Sequence, residues 1–196
     1  MGKRSDFERV KYAPTTQMLE AMGVEPESTE PISDGRDFYP TPIEAVWPLM
    51  PHLMPGTYFV EPCAGDGRLI NHITAYGYTC TDAYDLYPMQ LDIDKKNVLD
   101  IKECSGDCFI TNPPWDRKIL HPIIEHLSEI APTWLLFDAD WMHTKQAAPL
   151  MRRCAKIISV GRIKWIAGSK NTGKDNCCWY LFDIHHRGNP KFWPRI

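Results

Sequence analysis

Along residues 41–184, apolar positions follow two periods that take turns. Short, nearly continuous runs have the length and β-branched or aromatic content of buried strands: TYFVEP at 57–62, YTCTDAYD at 78–85, CFIT at 108–111 and TWLLFDAD at 133–140. Between them lie helical patterns: TPIEAVWPLMPHL at 41–53, entered through Pro42, RLINHITAYG at 68–77, RKILHPIIEHLSEIA at 117–131 and KQAAPLMRRCA at 145–155. In the third of these, Ile119, Leu120, Ile123, Ile124 and Leu127 form one apolar stripe despite Pro122. Two late strand patterns, KIISVGRIKWI at 156–166 and CCWYLFDI at 177–184, are joined by the loop AGSKNTGKDN. Strand–helix alternation ending in a hairpin predicts an α/β domain with a mostly parallel sheet, one antiparallel strand and helices covering it. Ligands of such sheets lie beyond the carboxyl ends of the strands. Glu61, Asp85 and the stretch Thr111–Trp115 all fall at predicted strand ends.

Residues 1–36 read differently, as a partly flexible appendage. YAPTTQMLEAMG supplies one short helix capped by Thr15 or Thr16 and stopped by Gly23, and VEPESTEPISDG has the Pro, Ser and acidic content of a linker. Residues 37–196 are then a single domain. No apolar run approaches the roughly 20 residues of a membrane helix, and MGKRSDFERVKY lacks a secretory apolar stretch, so a cytoplasmic protein without membrane contact is expected. The seven cysteines include no C-x-x-C and no zinc-finger spacing, which predicts reduced thiols and no metal. Oligomeric state leaves no trace in the pattern.

Charge adds a division that hydropathy does not show. The net charge of −3 combines −11 over residues 1–150 with +8 over residues 151–196, where 10 Lys and Arg face only 2 Asp and Glu. An acidic body with a basic C-terminal quarter points to one edge facing an anion, and a solvated surface with chance segregation is the plainer alternative.

VEPCAGDGRL at 60–69 places a carboxylate at a strand end and then two glycines around Asp66. Glycines permit a tight turn and close approach of a ligand to the backbone. The spacing is neither G-x-G-x-x-G nor a Walker loop, which excludes the phosphate-binding readings. Asp85 ends the next strand, where a carboxylate can accept from ribose hydroxyls. Asp100, between Leu99 and Ile101, is a candidate receiver of an exocyclic amino group or an ordinary loop acid. Three acids arranged in this way suit a nucleoside-like ligand that carries a cation and no phosphate.

EPCAGDG followed by NPPW at 112–115 resembles the paired signatures of S-adenosylmethionine-dependent amino-methyltransferases, in particular the DNA N6-adenine group. DFYPTP at 37–42 is similar to that family's N-terminal cofactor segment, and the motif order is its gamma arrangement. The resemblance covers residues 37–116 by motif and extends to about 185 by strand pattern. It implies a Rossmann-like class I methyltransferase domain with a seven-stranded sheet and helices on both faces. Tyr39, Thr41 and Pro42 would close over the methionine end of S-adenosylmethionine. Glu61, Ala64, Gly65 and Gly67 would line it, with Asp85 at the ribose and Asp100 at the adenine. Asp66 would bind the cofactor amine or cap the following helix.

The chemistry of NPPW agrees with that family. An adenine or cytosine amine is a poor nucleophile because its lone pair is delocalised into the ring. Two acceptors aimed at its hydrogens, the Asn112 side-chain oxygen and the Pro113 carbonyl, would return the lone pair to nitrogen. Pro113 and Pro114 stiffen the backbone, and Trp115 offers a stacking face for a flipped base. Cys63 need not be a nucleophile, because direct in-line transfer requires no covalent intermediate.

The basic quarter favours nucleic acid. Arg152, Arg153, Arg162, Lys164, Lys170 and Lys174 are the candidate phosphate contacts, and the 168–176 loop is the candidate to enter a groove. Trp165 is either a base contact or a strand-packing residue. The chain ends about 80 residues after Trp115, which leaves no separate target-recognition domain. Small phage-encoded adenine methyltransferases are similar, and their resemblance implies a bacterial or phage-infected host cytoplasm. The expected reaction is methylation of adenine N6 in DNA. RNA adenine, DNA cytosine N4 and protein glutamine are alternative acceptors, and a non-catalytic nucleic-acid-binding subunit is an alternative of another class.

Overall fold

The computed structural model describes residues 39–165 and 172–195. The expected N-terminal helix, the linker, and Lys170 lie outside the described residues.

Strands β1 (Tyr58–Glu61), β2 (Thr79–Asp85), β4 (Cys108–Thr111) and β5 (Thr133–Asp138) fall on the four early apolar runs. They pair in parallel, and β6 (Cys154–Gly161) and β7 (Cys177–Phe182) complete the long strands. Two short edge strands, β3 (Asp94–Lys95) and β8 (Lys191–Trp193), bring the total among the described residues to eight in the order β3-β2-β1-β4-β5-β7-β6-β8. The family resemblance implies seven strands. The surplus arises at the edges, where β3 and β8 are exposed along their whole length and show no apolar alternation. The single antiparallel strand is β7, which opposes both β5 and β6.

Two helix-bearing layers cover the sheet, one on each face. Helices α1 (Ile43–Val46) and α2 (Arg68–Thr74) pack with Phe59, Ile110, Trp134 and Leu136. Helix α3 (Arg117–Ile130), with α4 (Ala148–Met151), packs with Phe109, Leu135, Phe137 and Tyr180 on the other. Trp134 and Leu136 point one way and Leu135 and Phe137 the other, so β5 is buried on both sides. That is why its sequence reads as an unbroken apolar run. The predicted 41–53 helix shortens to α1 and a 3₁₀ turn at Met50–His52, since Pro48 and Pro51 lack the N–H groups a longer helix needs. Buried Trp179 fastens α1 to the sheet by donating to the Ala45 carbonyl at 2.7 Å.

Beside β1 the chain turns with little clearance. Asp107 N–H donates to the Tyr58 carbonyl and its carboxylate accepts from Tyr58 N–H, both at 2.8 Å. A Cβ on Gly106 would lie 2.7 Å from that carbonyl oxygen, against backbone that has no rotamer to change. Gly106→Ala is therefore expected to cost about 1–3 kcal/mol, seen as a lower urea midpoint. An unchanged midpoint would show that the turn relaxes freely.

Candidate active site

Because β1, β2 and β4 are parallel, their carboxyl ends share one rim, and Glu61, Asp85 and Thr111 stand there together. Glu61 and Asp85, with Asn112 directly after Thr111, border a cavity of about 970 Å³. Its floor is the glycine turn. Gly65 and Gly67 have φ of +55° and +77°, in the left-handed region that only glycine enters cheaply. Asp85 binds this turn to β2, accepting from Gly65 N–H at 2.8 Å and Tyr87 N–H at 2.7 Å. A carboxylate has about four acceptor positions, so Asp85 retains capacity for a ligand.

Ala64, Gly65 and Asp66 line the cavity, while Gly67 shapes the turn from outside it. Asp66 lies one residue before Gly67, the N-cap of α2, and lines the cavity. It accepts from Arg68 N–H and pairs with the Arg68 guanidinium, both at 3.1 Å. Glu61 is buried, and its Oε2 has no partner among the described residues. Burial, then the Asp66 and Asp85 charges, hold its carboxyl well above the usual carboxylate range. The Cys63 thiol is raised far above its ordinary range by burial and by Asp85 and Glu61, which keeps it protonated.

Asn112 is held from two sides. Its Nδ2 donates to Thr41 Oγ1 at 3.1 Å and to the Tyr39 carbonyl at 3.3 Å, and its Oδ1 accepts from Trp115 Nε1 at 3.1 Å. Tyr39, Thr41, Pro113, Pro114 and Trp115 join it on the cavity wall. Pro42 stands back as the extended N-cap of α1. His72 of α2, buried and bonded to the Thr41 backbone, anchors this segment, and burial followed by Arg68 lowers its pKa to about 4. A base with a depressed folded pKa binds fewer protons than the unfolded chain between about pH 4 and 6.5. Its stability contribution is complete above that window and falls as the pH drops through it. Relative to His72→Gln, the native protein should lose on the order of 3 kcal/mol between these limits. Parallel acid-denaturation curves for the two proteins would refute the assignment.

Several expectations need correction. Asp100 ends a 3₁₀ turn, Val98–Asp100, capped by Asn97, and is exposed. Asn97, Val98 and Leu99 line the cavity instead, because the turn presents them and leaves the carboxylate outside. Arg152 and Arg153 precede β6, whose first residue pairs with the last of β7 and lies level with the first of β5. They therefore occupy the opposite rim. Arg153 is engaged there by the Glu125 carbonyl, Ser128 Oγ and Glu129. Arg162 and Lys164 follow β6 on the site rim without lining the cavity, whereas Lys174 does line it. Ile119, assigned to the core stripe, is 47% exposed and faces the cavity with Lys118 and Pro122. Trp165 also lines it and makes edge contacts with Trp115 and Tyr39 at centroid distances of 5.5 and 6.2 Å.

Leu86, Tyr87 and Met89 add an apolar wall that sequence reasoning missed. The available signal was their position directly after Asp85. Arg195 was missed as well. It lies beyond β8 beside Gly161, on the same rim as Arg162.

No family model and no curated protein matches the chain. Solved structures do. A protein of Pyrococcus horikoshii assigned as an RNA methyltransferase superposes with a TM-score of 0.60 at 13% identity, over 87% of this chain and 98% of that one. A Listeria monocytogenes protein assigned as a class I S-adenosylmethionine-dependent methyltransferase gives 0.53 at 8% identity, over 91% and 70%. The fold is the Rossmann-like methyltransferase fold. A chain from a type I restriction–modification system superposes with a TM-score of 0.52 at 11% identity, over 79% of this chain and 44% of that one. In that fold the cavity described above lies at the carboxyl rim of the parallel strands, where the strand order reverses between β1 and β4.

Proposed function

We propose that the protein transfers a methyl group from S-adenosylmethionine to the exocyclic N6 amine of adenine in DNA. One observation carries this reading: Asn112, oriented by Thr41, Tyr39 and Trp115, borders the same cavity as the glycine turn and Asp85. An amine-binding group and a nucleoside-binding floor thus face one space.

The residues present fit the donor. Glu61, with its unpartnered buried oxygen, would answer a cationic group, and the bare backbone of Gly65 allows close approach. Asp85 would take the ribose, with Leu86, Tyr87 and Asn97–Leu99 around the adenine. S-Adenosylmethionine supplies an activated methyl group there. The acidic floor disfavours a phosphate-bearing ligand at the same place.

The remaining work falls to Asn112 and Pro113. Their oxygens accept the two hydrogens of the amine and return its lone pair to nitrogen. Once methylated, the nitrogen becomes acidic and releases a proton without a strong base. The polynucleotide would lie across Arg162, Lys164, Lys174 and Arg195, with Lys118 inside the rim. On this reading, residues 37–196 form the catalytic domain.

RNA is the second acceptor, favoured by the fold shared with the Pyrococcus horikoshii protein assigned as an RNA methyltransferase. Incubation with labelled donor and either DNA or RNA, followed by nucleoside mass spectrometry, tests both readings. N6-methyladenosine from RNA alone would move the assignment to RNA, and N4-methylcytosine would replace the base. No labelled nucleoside from either polymer would end the proposal.

A further inference from the structure

Asn112, Trp115, Trp165 and Tyr39 form a closed circuit. The Asn112 amide donates to the Tyr39 carbonyl at 3.3 Å, and the Trp115 indole donates to Asn112 Oδ1 at 3.1 Å. Trp115 meets Trp165 edge-on at 5.5 Å with an interplanar angle of 80°. Trp165 returns to the Tyr39 ring at 6.2 Å and 61°. Three separate chain segments are joined in this way around one carboxamide.

Donor and acceptor roles fix the orientation of that carboxamide. An indole N–H can only donate, and a peptide carbonyl can only accept. Flipping Asn112 would set its NH2 against the indole N–H and its oxygen against the Tyr39 carbonyl, leaving both contacts repulsive. We infer that Trp115 is a positioning residue for Asn112, acting through its indole N–H and not only through its aromatic face. This rests on the proposed methyl-transfer reading.

The consequence concerns the substrate. Both donor hydrogens of Asn112 are directed to Tyr39 and Thr41, and one acceptor position of Oδ1 is taken by Trp115. What remains for a substrate is a single acceptor. A planar group bearing N–H hydrogens satisfies it, whereas a ring nitrogen or carbonyl that needs a donor finds none at this residue. Phenylalanine or tyrosine at position 115 would keep a stacking plate but place no N–H donor where the indole has one. The circuit thus selects amino-bearing bases or amides through hydrogen-bond polarity, separately from stacking.

Trp115→Phe tests the inference with two readouts. The first requires no activity. In ¹⁵N-labelled native protein, the Trp115 indole signal, identified by its loss in the variant, should exchange slowly with solvent. The Asn112 carboxamide signals should shift and exchange faster in the variant. The second is methyl transfer to an adenine-containing oligonucleotide, with kcat falling on the order of 10- to 100-fold. The KM for the oligonucleotide and the Kd for S-adenosylmethionine should stay within about threefold, since the plate and the cofactor floor remain.

A fast-exchanging indole or an unmoved Asn112 amide would overturn the inference, as would native kcat. A rise in KM that accounts for the whole loss would also overturn it and leave only stacking. Should Trp115→Phe fail to fold, benzothienylalanine at position 115 keeps the ring area and removes the N–H, and the same outcomes decide. A native protein with a slowly exchanging indole that methylates neither DNA nor RNA would sink the function reading while upholding the amide-fixing contact.

Discussion

Asn112→Ala should reduce methyl transfer about 100- to 1,000-fold, the scale at which removal of one preorganised group usually tells in kcat. Two separate losses are involved. On the proposed reading the acceptor for the substrate amine disappears, and so do the bonds to Thr41 Oγ1 and the Tyr39 carbonyl that tie the 39–41 segment to the NPPW loop. That segment lines the donor cavity. Donor affinity should therefore weaken as well, but only by about the fivefold that one net hydrogen bond of about 1 kcal/mol commands. Calorimetric titration with S-adenosylmethionine alongside single-turnover transfer separates the two. If binding and transfer fall by the same large factor, Asn112 is a structural tie and not the amine acceptor.

Glu61→Gln should move stability and binding in opposite directions. A buried carboxyl whose folded pKa lies above its unfolded value stabilises the protein fully only below the unfolded pKa. That contribution is lost as the pH rises through the raised folded value. Glutamine removes the ionisation, so thermal stability of the variant should match the native protein near pH 4 and exceed it increasingly toward neutrality. The gap should reach about 1–3 kcal/mol, the usual cost of an unsatisfied buried polar group. On the proposed reading, affinity for the sulfonium donor should fall at least about tenfold at neutral pH, because glutamine cannot present the carboxylate that would face the cation. Native binding should also release protons while Glu61 is partly protonated in the free protein, visible as a buffer-dependent heat that the variant lacks. Stability curves that run parallel across this range would exclude Glu61 as an ionising group in the site.

Much of this arrangement can be read from the chain because it depends on local chemistry. Apolar runs such as TWLLFDAD locate strands whose two faces are both buried, and the glycines at 65 and 67 sit where positive φ is needed. Parallel pairing then brings Glu61, Asp85 and Asn112 to one rim, as strand ends require. Other features depend on direction, which periodicity does not encode. Asp100 has the right neighbours in sequence, but a three-residue turn capped by Asn97 points Leu99 inward and the acid outward. Arg152 and Arg162 are ten positions apart in a basic stretch, yet β6 runs between them and separates them to opposite rims. Ile119 matches the helical stripe, but it faces the cavity while the neighbouring Leu120 enters the core. Edge strands β3 and β8, two and three residues long, are too short to leave a pattern. Two of the three bonds that orient Asn112 link positions more than seventy residues apart, beyond any spacing rule.

The reversal of β7 has a consequence for how such a protein diversifies. Since β7 opposes its neighbours, the connection from β6 must begin and end above the carboxyl rim, and its length is uncoupled from every helix that crosses the sheet. Trp165 and Lys174 hang from that connection. On the proposed reading, exchanging it for a longer or differently charged segment would retune which polymer is grasped while leaving the donor floor and the NPPW backbone untouched, a modular handle for altering target choice.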